Sequence, residues 1–124
     1  MKSALLVCDE SVDAMTLLAT AGQRIGLEVR VFEGSVQMRD SRDRLLTAFD
    51  DAYHGVEDWL SVGLSRFEAD GLLTPRAFVI ECRWEDLFCE VLQLAAQQTR
   101  HLFVIDSEGE VHVGSALDES TVSL

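Results

Sequence analysis

Lysine is nearly missing from this chain. Lys2 is the only one, and the remaining nine of its ten basic residues are arginines. A catalytic lysine in the body of the fold is therefore excluded. So small a basic complement also argues against nucleic-acid binding, which needs a positive footprint on the phosphate backbone, and against binding to anionic membranes. Long apolar runs are missing as well: none approaches the ~20 residues that span a bilayer. Cysteine is sparse and unpaired. Cys8, Cys82 and Cys89 lie in apolar stretches and form no CxxC, and with His54, His101 and His112 they are too scattered for a structural zinc site, which takes about four ligands in paired spacings. Reduced, buried thiols fit a cytoplasmic protein. There is no GxGxxG, no GxxxxGK[ST] and no GxSxG, so the usual phosphate cradles and the serine elbow are excluded too.

What is present is acid. Twenty-two Asp and Glu against ten bases give a net charge of −12 over 124 residues, 48% of them hydrophobic. That length suits one domain, with enough apolar material for a core without disulfides. Acids follow the short apolar run of MKSALLVCDE where a signal peptide would continue, so the segment reads as the first strand of a soluble protein.

Ser3 to Cys8 is continuously apolar, as in a strand buried on both faces. Asp9 or Ser11 can cap the helix marked by Val12, Met15, Leu18, Ala19 and Ile25, and Gly26 suits its C-terminal cap. Leu27 to Phe32 alternates apolar and charged residues, as a strand with one exposed face does. Glu33 to Ser41 reads as a connector. From Arg42 to Asp70, the residues Leu46, Phe49, Tyr53, Val56, Leu60, Leu64 and Phe67 step by three or four, which predicts a long helical region, weakened at Gly55 and Gly63. Ala77 to Cys82 predicts a strand, Trp84 to Ala95 a helix, His101 to Ile105 a strand, and Ser107 to Glu110 a tight turn into a short strand, Val111 to Val113. The last eleven residues, 114–124, lack periodicity and predict a frayed tail behind a globular domain of residues 1–113. The expected fold is α/β or α+β: a mixed central sheet of four to five strands with helices packed on it, in the order β-α-β-α(α)-β-α-β-β. The strands at 77–82 and 101–105 are expected to form a parallel, right-handed βαβ pair.

The segment ALLVCDESVDAMTLLATAGQRIGLEVRVFEG resembles the opening of a response-regulator receiver domain, in which an apolar strand ends in paired acids ahead of a helix and a second strand. The resemblance covers about the first 34 residues. It implies a shared β-α-β architecture and places Asp9 and Glu10 at the family's Mg²⁺-binding acids. Beyond it the chain departs from the family: Asp50 and Asp51 lie near the distance of the phospho-accepting aspartate but in a predicted helix, and the family's late lysine is missing. No phosphorylation is implied for this chain.

Two classes of function survive. Acids at strand ends (Asp9, Glu10 and Asp106) would hold Mg²⁺ if parallel strands brought them together, giving a metal-dependent enzyme or a receiver-like regulatory domain. The blander reading is that they cap helices, begin turns and meet water. The other class is a non-enzymatic acidic domain without cofactor or metal, of the bacterial immunity or inhibitor type, that neutralises a basic protein partner. Its expected docking surface is the acid-rich stretch Asp50, Asp51, Tyr53, His54, Glu57, Asp58 and Trp59, with the aromatics as anchors, although the same charges would suit a solvated helix face. The cysteines read as packing residues, because neighbouring acids raise a thiol pKa rather than lower it.

Overall fold

β1 (Ser3–Asp9) runs through the middle of a seven-stranded sheet and pairs on both edges. A computed structural model describes residues 3–52, 63 and 65–124. After β1 come α1 (Ala14–Arg24), β2 (Glu28–Phe32), β3 (Ser35–Arg39) and β4 (Leu45–Ala52). A helical stretch at 65–69 follows, then β5 (Pro75–Cys82), α2 (Glu85–Ala96), β6 (Leu102–Ile105), β7 (Val111–Val113) and a 3₁₀ turn at Gly114–Ala116. The strand order is β2-β3-β4-β5-β1-β6-β7, and every neighbouring pair is antiparallel. The chain is thus a single mixed α/β domain on an antiparallel sheet.

The pleat divides the core in two. Ala4, Leu6 and Cys8 of β1 face the helix layer, where α1 contributes Met15 and Leu18 and α2 contributes Leu87, Phe88, Val91 and Leu92. Leu5 and Val7 face the other way, with Phe103, Ile105, Phe67 and Leu72. Phe67 comes from the helical stretch at 65–69, and its ring lies 4.8 Å from that of Phe103, tilted by 53°. The unbroken apolar run of β1 follows from this position, since neither face of a central strand meets water.

Three expectations are corrected. The sheet has seven strands, not four or five, and it is antiparallel rather than mixed. β5 and β6 do run in the same direction, but only because each is antiparallel to β1, which lies between them. They are not hydrogen-bonded neighbours. Second, residues 35–52 are not a connector and the start of a helix but a β-hairpin. Val36 and Met38 alternate with Ser35, Gln37 and Arg39, and Leu46 and Ala48 with Leu45, Thr47 and Phe49; the four face the helix layer at the period of a strand. The reversal is built by Asp40, whose carboxylate accepts the backbone N–H groups of Arg42 and Arg44, and by Asp43 in the left-handed region at φ 65°. Arg44 then ties this turn to α2, donating to Asp40 at 2.7 Å and to Asp86 at 2.9 Å. Third, the tail does not fray. Leu117 and Val122 are buried, Gln93 of α2 donates to the Leu117 carbonyl, and Ser123 bonds back to Ser107 and Asp106.

Phe88 is fully buried on α2, against the sheet. Phe88→Ala should lower stability by about 3–5 kcal/mol in urea unfolding; a loss below about 1 kcal/mol would mean that the ring does not carry the contact between helix layer and sheet.

Candidate functional site

The residues expected to dock a partner are described only in part. Asp50 is exposed, and with Asp51 it lies in β4 rather than in a helix. Phe49 pairs with Val79 and Ala52 with Phe78, so Asp50 and Asp51 are the extra residues of a β-bulge. Arg76 donates to the Asp50 carbonyl at 3.3 Å. Tyr53, His54, Glu57, Asp58 and Trp59 lie outside the described residues.

The strand-end acids do not converge. Because β6 is antiparallel to β1, with Cys8 opposite Leu102 and Leu5 opposite Ile105, the ends carrying Asp9 and Asp106 lie at opposite edges of the sheet. Five residues separate them along the strand direction, about 17 Å at ~3.3 Å per residue. Asp9 is occupied locally: it accepts the hydroxyls of Ser11 and Thr74, which hold its pKa below the usual carboxylate value, while the Glu10 N–H donates to the Thr74 carbonyl. A Mg²⁺ site made of Asp9, Glu10 and Asp106 is not assembled, and the parallel sheet of a receiver domain is absent.

A different cluster appears at the β6–β7 hairpin. Asp106 is 1% exposed. One carboxylate oxygen accepts the N–H groups of Glu108 and Glu110, each at 3.0 Å. The other accepts the Ser123 N–H at 3.2 Å and lies 2.8 Å from Nε2 of His112. Burial disfavours its ionised form, but the bonds from His112 and the three N–H groups outweigh burial and hold its pKa below the ordinary 3.8. Glu110, just before β7, lies two residues from His112 within it. Ligand atoms of Asp106, Glu110 and His112 all lie within 4.8 Å of one another. The signal in the sequence was Asp106 opening a tight turn with acid and imidazole at alternate positions after it. Read separately, as a turn residue and a scattered histidine, they gave no site.

The thiols are buried and free. Burial pushes Cys8 up to about 11, with Asp9 adding to the rise and Arg76 opposing it. Burial also takes Cys89 to about 11, and the carboxylates of Glu119, Asp118, Glu85 and Asp86 add to it. Cys82 is raised by burial despite its contact with the Trp84 carbonyl. Protonated thiols in acidic surroundings are poor nucleophiles, as their neighbours in the sequence suggested. Those four acids around Cys89, from the start of α2 and from the tail, mark a negative surface on the helix layer. At the end of β1, a cleft of about 510 Å³ lies between Asp9, Ser11, Leu73, Thr74, Arg100 and His101.

No protein family, characterised protein or solved structure matches the chain.

Asp106→Asn replaces one acceptor oxygen by an N–H donor and should lower stability at pH 7 by about 1–3 kcal/mol. A carboxylate with a depressed folded pKa stabilises the fold above its unfolded value and loses that contribution as pH falls through the folded one. The difference between wild type and variant should therefore be full at neutral pH and shrink below about pH 4, as the wild-type carboxyl takes up its proton. Urea midpoints across that range check this; a gap that stays constant into acid would show that the lost charge is not the cause.

Proposed function

We propose that this is a non-catalytic, acidic binding domain whose carboxylate surface takes a basic protein partner, in the manner of an immunity-type inhibitor of a basic toxin. One observation carries the reading: among the described residues, exposed acids outnumber exposed arginines two to one, and the two sheltered arginines, Arg44 and Arg76, are taken up by contacts within the fold. Arg44 bridges Asp40 and Asp86. Arg30 pairs with Glu28 and Arg39 with Asp43. Arg66 donates to the Val111 carbonyl, and Arg76 donates to that of Asp50 while lying over the Phe78 ring. Against these, Glu10, Glu33, Asp50, Glu68, Asp70, Glu90, Glu108, Glu110, Asp118 and Glu119 are all exposed. A field of one sign accelerates encounter with a complementary partner and rejects like-charged ones. Two groups of acids are candidates: Glu85, Glu90 and Glu119 of the helix layer and, on its sequence alone, the stretch from Asp50 to Trp59.

The chain, immobilised and exposed to a lysate of cells that express it, should retain basic proteins that added NaCl releases. Glu85→Gln, Glu90→Gln and Glu119→Gln together should slow association if the helix layer docks; Asp50→Asn with Asp51→Asn should do so if the other stretch docks. Trp59→Ala should cost about 2 kcal/mol or more of affinity in the second case. Retention indifferent to salt and to both sets of substitutions would sink the proposal. As a second measurement, Glu90→Gln with Glu119→Gln should leave Tm unchanged or higher, because it relieves repulsion between like charges.

A further inference from the structure

We propose that Asp106, Glu110 and His112 form a binding site for a divalent transition-metal ion of the Zn²⁺ class. The site stands apart from the acidic docking surface and does not depend on it. Its three candidate ligands come from one hairpin, and their ligand atoms already lie within 4.8 Å of one another. Two of them are shielded: the Asp106 side chain is fully buried and that of His112 is 11% exposed. Two ligands bound tetrahedrally at ~2.0–2.2 Å to one ion sit about 3.3–3.6 Å apart. Nε2 of His112 and Oδ2 of Asp106 are 2.8 Å apart, so a small opening of this pair would admit an ion in place of the shared proton. Glu110 is exposed, and its carboxylate can swing onto the third position without disturbing the core.

The burial of the Asp106 carboxylate bears on the site as well. A buried carboxylate needs a positive partner or a costly set of hydrogen bonds. Among the described residues, no arginine bonds Asp106. Its partners are three backbone N–H groups and the imidazole. A dication bound there would place two positive charges beside the carboxylate. The donor set also selects the ion. Imidazole favours Zn²⁺ and its neighbours in the first transition row, whereas Mg²⁺ and Ca²⁺ prefer oxygen alone. Asp106 additionally holds Ser123, so an ion at this site would clamp the hairpin to the tail.

The test uses the full chain, stripped with a chelator, desalted and titrated with Zn²⁺ by calorimetry, with thermal melts in parallel. Binding at a ratio of one ion per chain and a rise in Tm are expected, because a ligand that binds only the native state stabilises it. Even outer-shell partners of a metal are worth about 10–100-fold in affinity, so Glu110→Gln should weaken Zn²⁺ binding by at least about tenfold. Glu108→Gln, an exposed neighbour outside the cluster, should bind like wild type. His112→Gln can still bond Asp106 and should remove the preference for Zn²⁺ over Mg²⁺. Failure to bind Zn²⁺ at millimolar concentration, wild-type affinity in Glu110→Gln, or an equal Tm shift with Mg²⁺ would each overturn the proposal.

Discussion

β1 is hydrogen-bonded along both edges and covered on both faces, and the remaining structure is arranged to make that possible. Residues 4–8 are all buried, so each of their backbone polar groups needs a protein partner rather than water. β5 supplies one edge and β6 the other. One strand cannot provide its own cover, so α1 and α2 close one face while the 65–69 stretch, with Phe67, closes the other. The sheet then extends outward in both directions into more exposed strands: β2 and β7 have no buried residue at all. Burial falls off with distance from β1, as expected when a single strand nucleates two apolar layers.

The charge distribution follows from the same economy. Most acids stay outside, Asp106 excepted, while Arg44 and Arg76 are sheltered where they pair with carboxylates or satisfy a carbonyl. Arg44 illustrates this best. With 19% of its side chain exposed, it bonds two carboxylates from different elements, which makes it a joint between the β3–β4 turn and the start of α2. An exposed ion pair is worth little, but this one is half-sheltered and its geometry is fixed by the backbone bonds that Asp40 accepts. The net charge of −12 then falls on a surface where, among the described residues, exposed acids outnumber exposed arginines.

Much of the architecture was legible from periodicity, because β1, α1, β2, β5, α2, β6 and β7 each carry a pattern that only one element satisfies. The failure came at residues 42–52. There Leu46 and Phe49 fit a helical step of three, while Leu46 and Ala48 fit a strand, and an apolar stripe continuing to Phe67 tipped the balance toward helix. What decided the matter was invisible in the local pattern: β4 has the edge of β5 to pair with, and Asp40 and Asp43 supply a turn chemistry that a helix would waste. Strand direction was not legible either. Alternation of strand and helix suggests parallel neighbours, but here α1 and α2 each connect strands that run the same way with one or more others inserted between them, and only the long-range pairing shows it.

The same long-range logic explains why the acids at strand ends misled and the hairpin cluster was missed. Grouping carboxylates by their position at strand ends assumes that the ends coincide, which holds in a parallel sheet and fails in an antiparallel one, where consecutive neighbours end at opposite edges. In an antiparallel sheet the groups brought together are instead those flanking a tight turn, because the chain returns beside itself within a few residues. Asp106 and His112 are six apart in sequence and 2.8 Å apart in space for that reason. The tail then fixes the arrangement: Ser123 donates to the same carboxylate, and its carbonyl holds Ser107. A buried charge at the hairpin thereby joins Leu117, Val122 and Gln93 in fastening the last eleven residues, so what looked from its composition like a loose end is held in part by the most enclosed carboxylate among the described residues.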